Sequence, residues 1–171
     1  MVHLFSDFIN AVWLLILPMS LTYVSGDPLL TQQQMLAFGS NAAGRTETTP
    51  LVTALLTHYP AAFARYGKLC HQGRIQAGMT WFWYESKPAL AFMVVRETPV
   101  GATRLRQVDA VMMALARDYR SQNIRSVALA PLGADHENAA ISEVIERWLS
   151  KVSLPVIAYT EYEPGLAAEV S

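Results

Sequence analysis

Two carboxylates and an imidazole lie close together in one loop-like stretch, Leu132–Asn138, which includes Asp135, His136 and Glu137. Carboxylate and imidazole side chains transfer protons and hold polar ligands. Pro131 and Gly133 favour a loop there, and an amphipathic pattern follows it. Because a helix N-terminus presents unpaired N–H groups and a positive dipole end, this loop predicts an anion pocket with any chemistry on one wall. The alternative is structural: Asp135 or Asn138 caps the helix, and Glu137 only favours its dipole.

Regular elements on either side must position this loop. The short apolar run Ser126–Ala130 suits a buried strand. After the loop, apolar residues recur at helical spacing, and charged residues occupy the opposite face. The residues of this stripe are Ile141, Val144, Ile145, Trp148, Leu149 and Val152.

The rest of the chain predicts an α/β fold with a mixed, largely parallel sheet sandwiched between helices. Strands are predicted at residues 21–24, 35–38, 79–84, 90–95 and 155–159. Helices are predicted from Thr49-Pro50, over 61–69 and over 105–119. The aromatic run Trp81–Tyr84 suggests either a stacking platform for bases or core strand positions, and we favour the core because parallel-type sheets are buried on both faces.

Composition limits the function classes. The chain has 171 residues, a net charge of −1 and one cysteine, so no global basic field attracts nucleic acid. Cys70 falls in an apolar helical pattern and reads as a small buried hydrophobe. One cysteine suits a reducing compartment, and we expect a cytoplasmic protein. The sequence has no recognised metal-ligand spacing, so we expect neither a metal nor another cofactor.

The chain divides into three parts in this interpretation. Residues 1–18 form an apolar N-terminal extension, residues 19–165 the domain, and residues 166–171 a frayed tail. The apolar run in the extension is short for a membrane span and lacks a basic flank, so we expect no membrane association. Its apolar surface is a candidate contact for a protein partner.

Four stretches together resemble the macrodomain, an ADP-ribose-binding α/β module, over about Leu21–Pro164. The resemblance is closest to antitoxin-type macrodomains that remove ADP-ribose from DNA bases and to members that release it from carboxylates. The stretches are Thr22-Tyr23-Val24-Ser25-Gly26-Asp27, Phe38-Gly39-Ser40-Asn41-Ala42, Cys70 to Gly78, and Ser126 to Gly133 with its Pro-Leu-Gly.

The resemblance implies a role for several residues. Asp27 would bond the adenine amino group, Asn41 would orient the distal ribose, and Glu137 would fall where carboxylate-releasing members place a catalytic Asp. The ordinary alternatives are a turn-stabilising Asp27 and an Asn41 bonded to nearby backbone. The remaining ligand-binding candidates are Gly44, Arg45, Pro131, Leu132, Gly133, Ala134, His136 and Asn138, with Asp135 as a second catalytic carboxylate.

Two departures from the family pattern bear on activity. The Gly-rich first loop is replaced by Gly44-Arg45-Thr46-Glu47-Thr48-Thr49, in which β-branched Thr residues resist positive φ. Glu47 would repel a pyrophosphate, and Arg45 would offset this by pairing with an anion. The lysine after the fourth core strand is matched by Arg96, which stays protonated and cannot act as an amine nucleophile. Arg96 would still hold an anion, and we keep it among the catalytic-site residues with Glu137 and Asp135.

Three functions follow from the resemblance. The first is a domain that binds ADP-ribose or a related nucleotide and hydrolyses an ADP-ribosyl linkage on a DNA base or protein carboxylate. The second is a catalytically inactive reader of ADP-ribosylated partners, including DNA. The third is an interaction scaffold that has lost the ligand.

Overall fold

The computed structural model describes residues 20–169. The strands are β1 (Leu21–Gly26), β2 (Met35–Asn41), β3 (Thr80–Trp83), β4 (Ala89–Arg96), β5 (Val127–Leu129) and β6 (Val156–Tyr162). The helices are α1 (Pro50–His58), α2 (Pro60–His71), α3 (Leu105–Asp118) and α4 (Asn138–Leu149). Short 3₁₀ turns cover Pro28–Leu30 and Asp135–Glu137.

The six strands form one sheet in the order β1-β6-β5-β2-β4-β3. Every neighbouring pair is parallel except β3 and β4, which are antiparallel. The predicted mixed, largely parallel α/β architecture is therefore confirmed. Strand β2 is fully buried and lies between β5 and β4. Its carboxyl end therefore lies in the middle of the row formed by the carboxyl ends of the parallel strands.

Helices cover both faces of the sheet and divide the core in two. The side chains of α3 and α4 pack on one face, and those of α1 and α2 pack on the other. The stripe predicted for α4 is confirmed, since Ile141, Val144, Ile145 and Leu149 are buried. The helix ends at Leu149, so Val152 packs against this core from the following turn.

Local sequence signals explain where α1 and α2 begin. Thr49 caps α1 by accepting a 3.3 Å hydrogen bond from the Val52 N–H, and Pro50 occupies the first turn as predicted. Pro60 separates the two helices and begins α2. The chain therefore turns at Tyr59 and returns along the same face of the sheet.

The expectation that Trp81 and Trp83 are core residues is only partly met. Strand β3 is an edge strand, and the two indoles pack against the core on the α1–α2 side while remaining partly exposed. Tyr84 follows the strand and is 62% exposed. The prediction assumed that β3 belongs to a parallel-type sheet whose two faces are covered by helices, whereas β3 is an antiparallel strand at the edge of the sheet.

The prediction of a frayed tail is wrong for residues 166–169. The Leu166 carbonyl accepts a 2.7 Å bond from the Asp27 N–H. The Glu169 carboxylate accepts bonds from the Thr31 hydroxyl, the Gln32 N–H (2.9 Å), the Gln33 side-chain amide (3.0 Å) and the Tyr159 hydroxyl (2.9 Å). The tail is therefore fixed to the turn after β1 by polar contacts that hydropathy does not reveal.

The predictions for residues 1–18 and for the last two residues fall outside the described residues. Within residues 20–169, no helix combines the length and the apolar character that crossing a bilayer requires.

Glu169→Gln should destabilise the fold near neutral pH by about 1 kcal/mol, because a partly exposed carboxylate loses charge-assisted bonds. Burial alone would raise the pKa of Glu169, but its hydrogen bonds outweigh burial and hold the pKa below the ordinary 4.5. A carboxylate whose pKa is lower in the folded state than in the unfolded state stabilises the fold at pH values above the unfolded-state pKa. This stabilisation is lost as the pH falls through the folded-state pKa. The difference in the free energy of unfolding between wild type and variant, measured by urea denaturation, should therefore become smaller as the pH is lowered from 6 to 3. Exposed Glu143 provides the control as Glu143→Gln; a gap independent of pH would contradict the prediction.

Candidate functional site

The largest cavity that we describe, about 570 Å³, lies outside the carboxyl ends of the parallel strands. Its volume is in the range of roughly 300–1,000 Å³ typical of small-molecule sites, and crevices at this edge are where open α/β sheets bind ligands. The loop after β5 and the beginning of α1 form two of its walls. Its lining includes Phe38, Gly39, Glu47, residues 49–52, Leu55, Arg96, Pro99, Gly101, Thr103, residues 131–135, Glu137, Glu161, Tyr162 and Pro164.

The loop after β5 approaches β2 so closely that a glycine is required. A Cβ on Gly39 would lie 2.8 Å from the Leu132 carbonyl oxygen, which is backbone and cannot move aside cheaply. Leu132 is itself buried at 2% exposure, which anchors the loop to the core. Pro131, Leu132, Gly133 and Ala134, four of the predicted ligand-binding residues, therefore form one wall of the cavity.

Glu137 holds that wall in place. One carboxylate oxygen accepts a 2.9 Å bond from the Thr103 N–H, and the other accepts a 2.8 Å bond from the Ala134 N–H. The expectation that Asp135 or Asn138 caps the helix is wrong, since neither supplies a side-chain cap. Asp135 and Glu137 both line the cavity as predicted, but Glu137 already uses both oxygens to join two loops.

Arg96 is the last residue of β4 rather than the first of a loop, and its guanidinium donates four hydrogen bonds within the protein. It forms a two-pronged ion pair with Glu47, with Nε–Oε1 and Nη2–Oε2 distances of 2.7 and 3.0 Å. Its Nη1 also donates to the Thr103 hydroxyl at 2.8 Å and to the Leu132 carbonyl at 2.6 Å. The arginine side chain is 11% exposed and that of Glu47 is 9% exposed. Arg96 therefore joins the walls of the cavity.

Glu47 and Thr103 line the cavity but were not among the predicted site residues. Glu47 was expected only to repel a pyrophosphate, whereas it neutralises Arg96. Thr103 is 8% exposed and contacts Arg96, Leu132 and Glu137. The one available signal for Glu47 was an acidic residue in a loop that the family keeps Gly-rich.

Three predicted ligand-binding residues lie beside the cavity instead of on its lining. The Asn41 amide donates to the Arg45 carbonyl at 2.8 Å and accepts from the Arg45 N–H at 3.3 Å, which is the local backbone role left open by the sequence. Gly44 has a φ of +67°, and a Cβ there would lie 2.5 Å from Cys70 Cβ. Asn41, Gly44 and exposed Arg45 line a separate 30 Å³ cavity against α2.

Asp27, His136 and Asn138 are also absent from the lining of the large cavity. Asp27 accepts 3.0 and 2.8 Å bonds from the Leu29 and Gly165 N–H groups, a turn-stabilising geometry. Gly26, the residue before Asp27, pairs with Tyr162 of β6, which lines the cavity, so Asp27 lies close behind that wall. His136 is exposed, and Asn138 donates to the Thr160 carbonyl at 3.1 Å.

The lining of the large cavity is acidic. It holds the carboxylates of Glu47, Asp135, Glu137 and Glu161, and Arg96 is the only cationic side chain that residues 20–169 contribute to it. Because Arg96 is paired with Glu47, an anionic ligand would depend on backbone N–H donors. No hydrogen bond among the described residues engages the Gly133 N–H, which makes it a candidate donor.

Other chemistries find no support in the part of the chain that is described. No group of three or more His, Cys, Asp or Glu residues is arranged to hold a metal ion there. Burial raises the pKa of the Cys70 thiol, which disfavours the reactive thiolate. This agrees with the interpretation of Cys70 as a packing residue.

Comparison with known proteins identifies the fold. No protein-family model matches the chain. The structure resembles the macrodomain of Thermus aquaticus DarG, with a TM-score of 0.72 and 21% identity over 84% of this chain and 98% of that one. It also resembles the macrodomain of Mycobacterium tuberculosis DarG, with a TM-score of 0.70 and 25% identity over 85% and 98% of the two chains. The chain thus has a macrodomain fold, as the sequence predicted.

Two further comparisons connect this fold to ADP-ribose. Thermosipho africanus DarTG, solved in complex with ADP-ribose, has a TM-score of 0.76 at 16% identity over 88% of this chain and 43% of that one. The DNA ADP-ribosyl glycohydrolases of Mycobacterium tuberculosis and Mycobacterium bovis are 26% identical over 150 residues, or 85% of this chain. The chain spans 42% of the length of these curated relatives, and the relationship is distant.

Glu47→Gln should lower the free energy of unfolding by about 3 kcal/mol, because it leaves the buried Arg96 guanidinium without its counter-charge. Urea denaturation at pH 7 measures this change. Replacing both residues, as Arg96→Met with Glu47→Leu, should recover much of the loss, since the unpaired charge is removed. The exposed pair Arg117–Asp118 provides the control, and Arg117→Gln should not shift the unfolding midpoint. Equal effects of Glu47→Gln and Arg117→Gln would contradict the prediction.

Proposed function

We propose that this chain, with its macrodomain fold, binds ADP-ribose in the cavity at the carboxyl ends of β2, β4, β5 and β6. The observation that carries the proposal is the 570 Å³ cavity walled by the Leu132–Ala134 backbone at the mouth of a parallel sheet. A structural relative, Thermosipho africanus DarTG, was solved with ADP-ribose. Backbone N–H groups of the loop after β5 would hold the pyrophosphate, in accordance with the sequence-based prediction.

The state of Arg96 and Glu137 favours binding over turnover. Arg96 makes four hydrogen bonds within the protein, and an arginine offers no amine nucleophile at neutral pH. Glu137 accepts bonds on both oxygens. We therefore infer that the chain recognises ADP-ribosyl groups without cleaving them. Asp27 and Asn41 would contact the ligand only if the ligand replaces their present hydrogen bonds to backbone groups.

Isothermal titration calorimetry with free ADP-ribose tests the binding proposal. We expect a dissociation constant near the micromolar range, or about −8 kcal/mol. Ala134→Glu adds a carboxylate on the cavity wall and should weaken binding at least tenfold through repulsion of the pyrophosphate. Ala139→Glu places the same side chain on exposed helix surface outside the cavity, and should change affinity by less than twofold. Absence of heat at high ligand concentration, with no thermal shift, would refute the proposal.

Hydrolysis of an ADP-ribosyl linkage is the second candidate, because Asp135 and Glu137 both line the cavity. In this scheme water adds to the anomeric carbon, the bond to the base or carboxylate breaks, and a carboxylate transfers the proton. Release of ADP-ribose from a modified oligonucleotide or peptide measures turnover. Asp135 is exposed and makes no side-chain bond among the described residues, so Asp135→Asn tests it without disturbing the fold. If wild type binds ADP-ribose and releases none, the reader function stands.

A further inference from the structure

A second cavity, with a volume of about 270 Å³, lies between α3 and the sheet. Its lining comes from β2, β3, β4, β5 and the second half of α3, and it shares no residue with the lining of the large cavity. An engineered apolar cavity of about 150 Å³ binds benzene. The second cavity therefore has room for a molecule larger than a single aromatic ring.

The register of the strands creates the floor of this second cavity. Ala37 of β2 is paired with Ala91 of β4, and the next residues in the same row are Phe82 of β3 and Leu129 of β5. All four lie in the part of the core on the α3–α4 side or pack against it, so two adjacent methyl groups lie between two large side chains. Ala37 and Ala91 are at most 1% exposed. The depression is therefore a fixed part of the sheet.

Helix α3 covers this depression without filling it. Ala114 and Leu115 of the helix both line the cavity, and Leu115 is buried. A Cβ on Gly78, just before β3, would lie 3.6 Å from the Cβ of Ala110, so the helix passes close to the start of the edge strand. The cavity is thus enclosed between packed elements, and the short side chain of Ala114 leaves the space above the two alanines of the sheet open.

Side chains that suit an aromatic molecule surround this floor. Met35 and Met93 each lie two residues along their strand from one of the paired alanines, so both thioethers are on the same face of the sheet as the alanines. Both methionines line the cavity. Phe82 bounds it towards the sheet edge, and its ring stacks on that of Tyr84 with 5.9 Å between the centroids. Because thioethers and aromatic rings make favourable contacts with aromatic rings, the lining favours a flat aromatic body.

Two polar side chains complete the lining. Thr80 is paired with Met93 and lies two residues before Phe82, so its hydroxyl is on the face of the strand that borders the cavity. Gln122 lies in the exposed turn after α3. Both residues line the cavity, and no hydrogen bond among the described residues engages either side chain. A ligand with one hydrogen-bonding group would therefore find a partner here without breaking an existing bond.

We propose that the second cavity binds a planar bicyclic aromatic molecule that carries one hydrogen-bonding group. The volume exceeds that of a one-ring site, the lining is apolar apart from two polar side chains, and its thioethers and Phe82 favour aromatic over saturated carbon. The site is built on strands and a helix of the core and does not depend on ADP-ribose binding at the carboxyl ends of the strands. Because the ligand replaces a void by contacts and binds only the folded chain, it also stabilises the fold.

Methyl NMR of the full chain, labelled with ¹³C at the methionine methyl groups and titrated with 2-naphthol, tests the site. We expect the signals of Met35 and Met93 to shift saturably, because the ring current of a bound aromatic acts on groups that touch it. Met113 is 38% exposed and lies outside the lining, so its signal should stay in place. Decahydro-2-naphthol has the same carbon skeleton without aromatic rings and should bind about fivefold more weakly, because the sulfur–aromatic contacts are lost.

Two variants locate the ligand within the cavity. Ala114→Leu fills the space under α3 and should abolish the shifts of the methionine signals. Ala140→Leu adds the same atoms at an exposed position of α4 outside the lining and should leave the affinity unchanged. Thr80→Val keeps the shape of the side chain but removes its hydroxyl, and should weaken 2-naphthol binding about fivefold through the lost hydrogen bond.

The proposal fails if the signals of Met35 and Met93 do not move, or if that of Met113 moves as much as they do. It also fails if Ala114→Leu folds and binds 2-naphthol as tightly as wild type. Equal affinity for decahydro-2-naphthol would rule out the aromatic class of ligand, and an unchanged affinity of Thr80→Val would rule out the hydrogen bond. The Thr80→Val result stands even where Ala114→Leu does not fold, because that substitution preserves the volume of the side chain.

Discussion

The shape of the cavity depends on the buried ion pair between Arg96 and Glu47. Through it the end of β4 is tied to the loop after β2, and through two further bonds the same guanidinium reaches Thr103 and the Leu132 carbonyl. Both partners are almost fully removed from solvent, so each needs the other to offset its desolvation. Three loops that would otherwise be independent are thereby fixed at the mouth of the sheet.

This ion pair also changes what the site can do. A lysine in the same place could present an amine, but a paired guanidinium presents neither a nucleophile nor a free positive charge. The other carboxylates remain on the wall, and Glu137 is committed to two backbone N–H groups. Under the proposed function, a pyrophosphate would therefore be held by peptide dipoles, which supply partial positive charge without titrating. This is the reason that we propose recognition of a nucleotide rather than bond breaking.

Periodicity and turn residues were sufficient to predict the α/β architecture, because the stripe on α4, the Thr49-Pro50 start of α1 and the apolar central strands are local signals. The macrodomain fold was predicted from the resemblance of four stretches to that family. The loop after β5 was placed correctly for the same reason, since Pro131 and Gly133 mark it. The Arg96–Glu47 pair joins residues 49 positions apart, and the contacts of Glu169 with residues 31–33 join positions more than 130 apart. Neither has a period or a propensity, so only the folded chain reveals them. The roles predicted for Asp27 and Asn41 remain predictions.

The charge of the cavity limits how it could hold a nucleotide. Among the described residues of its lining, Arg96 is the one cationic side chain, and Glu47 neutralises it, so a nucleotide would gain little from side-chain charge. Under the proposed function, the affinity would then come from the peptide dipoles and the shape of the wall formed by residues 131–134. The Arg96–Glu47 pair would therefore act on binding through the loops that it fixes rather than through its charge.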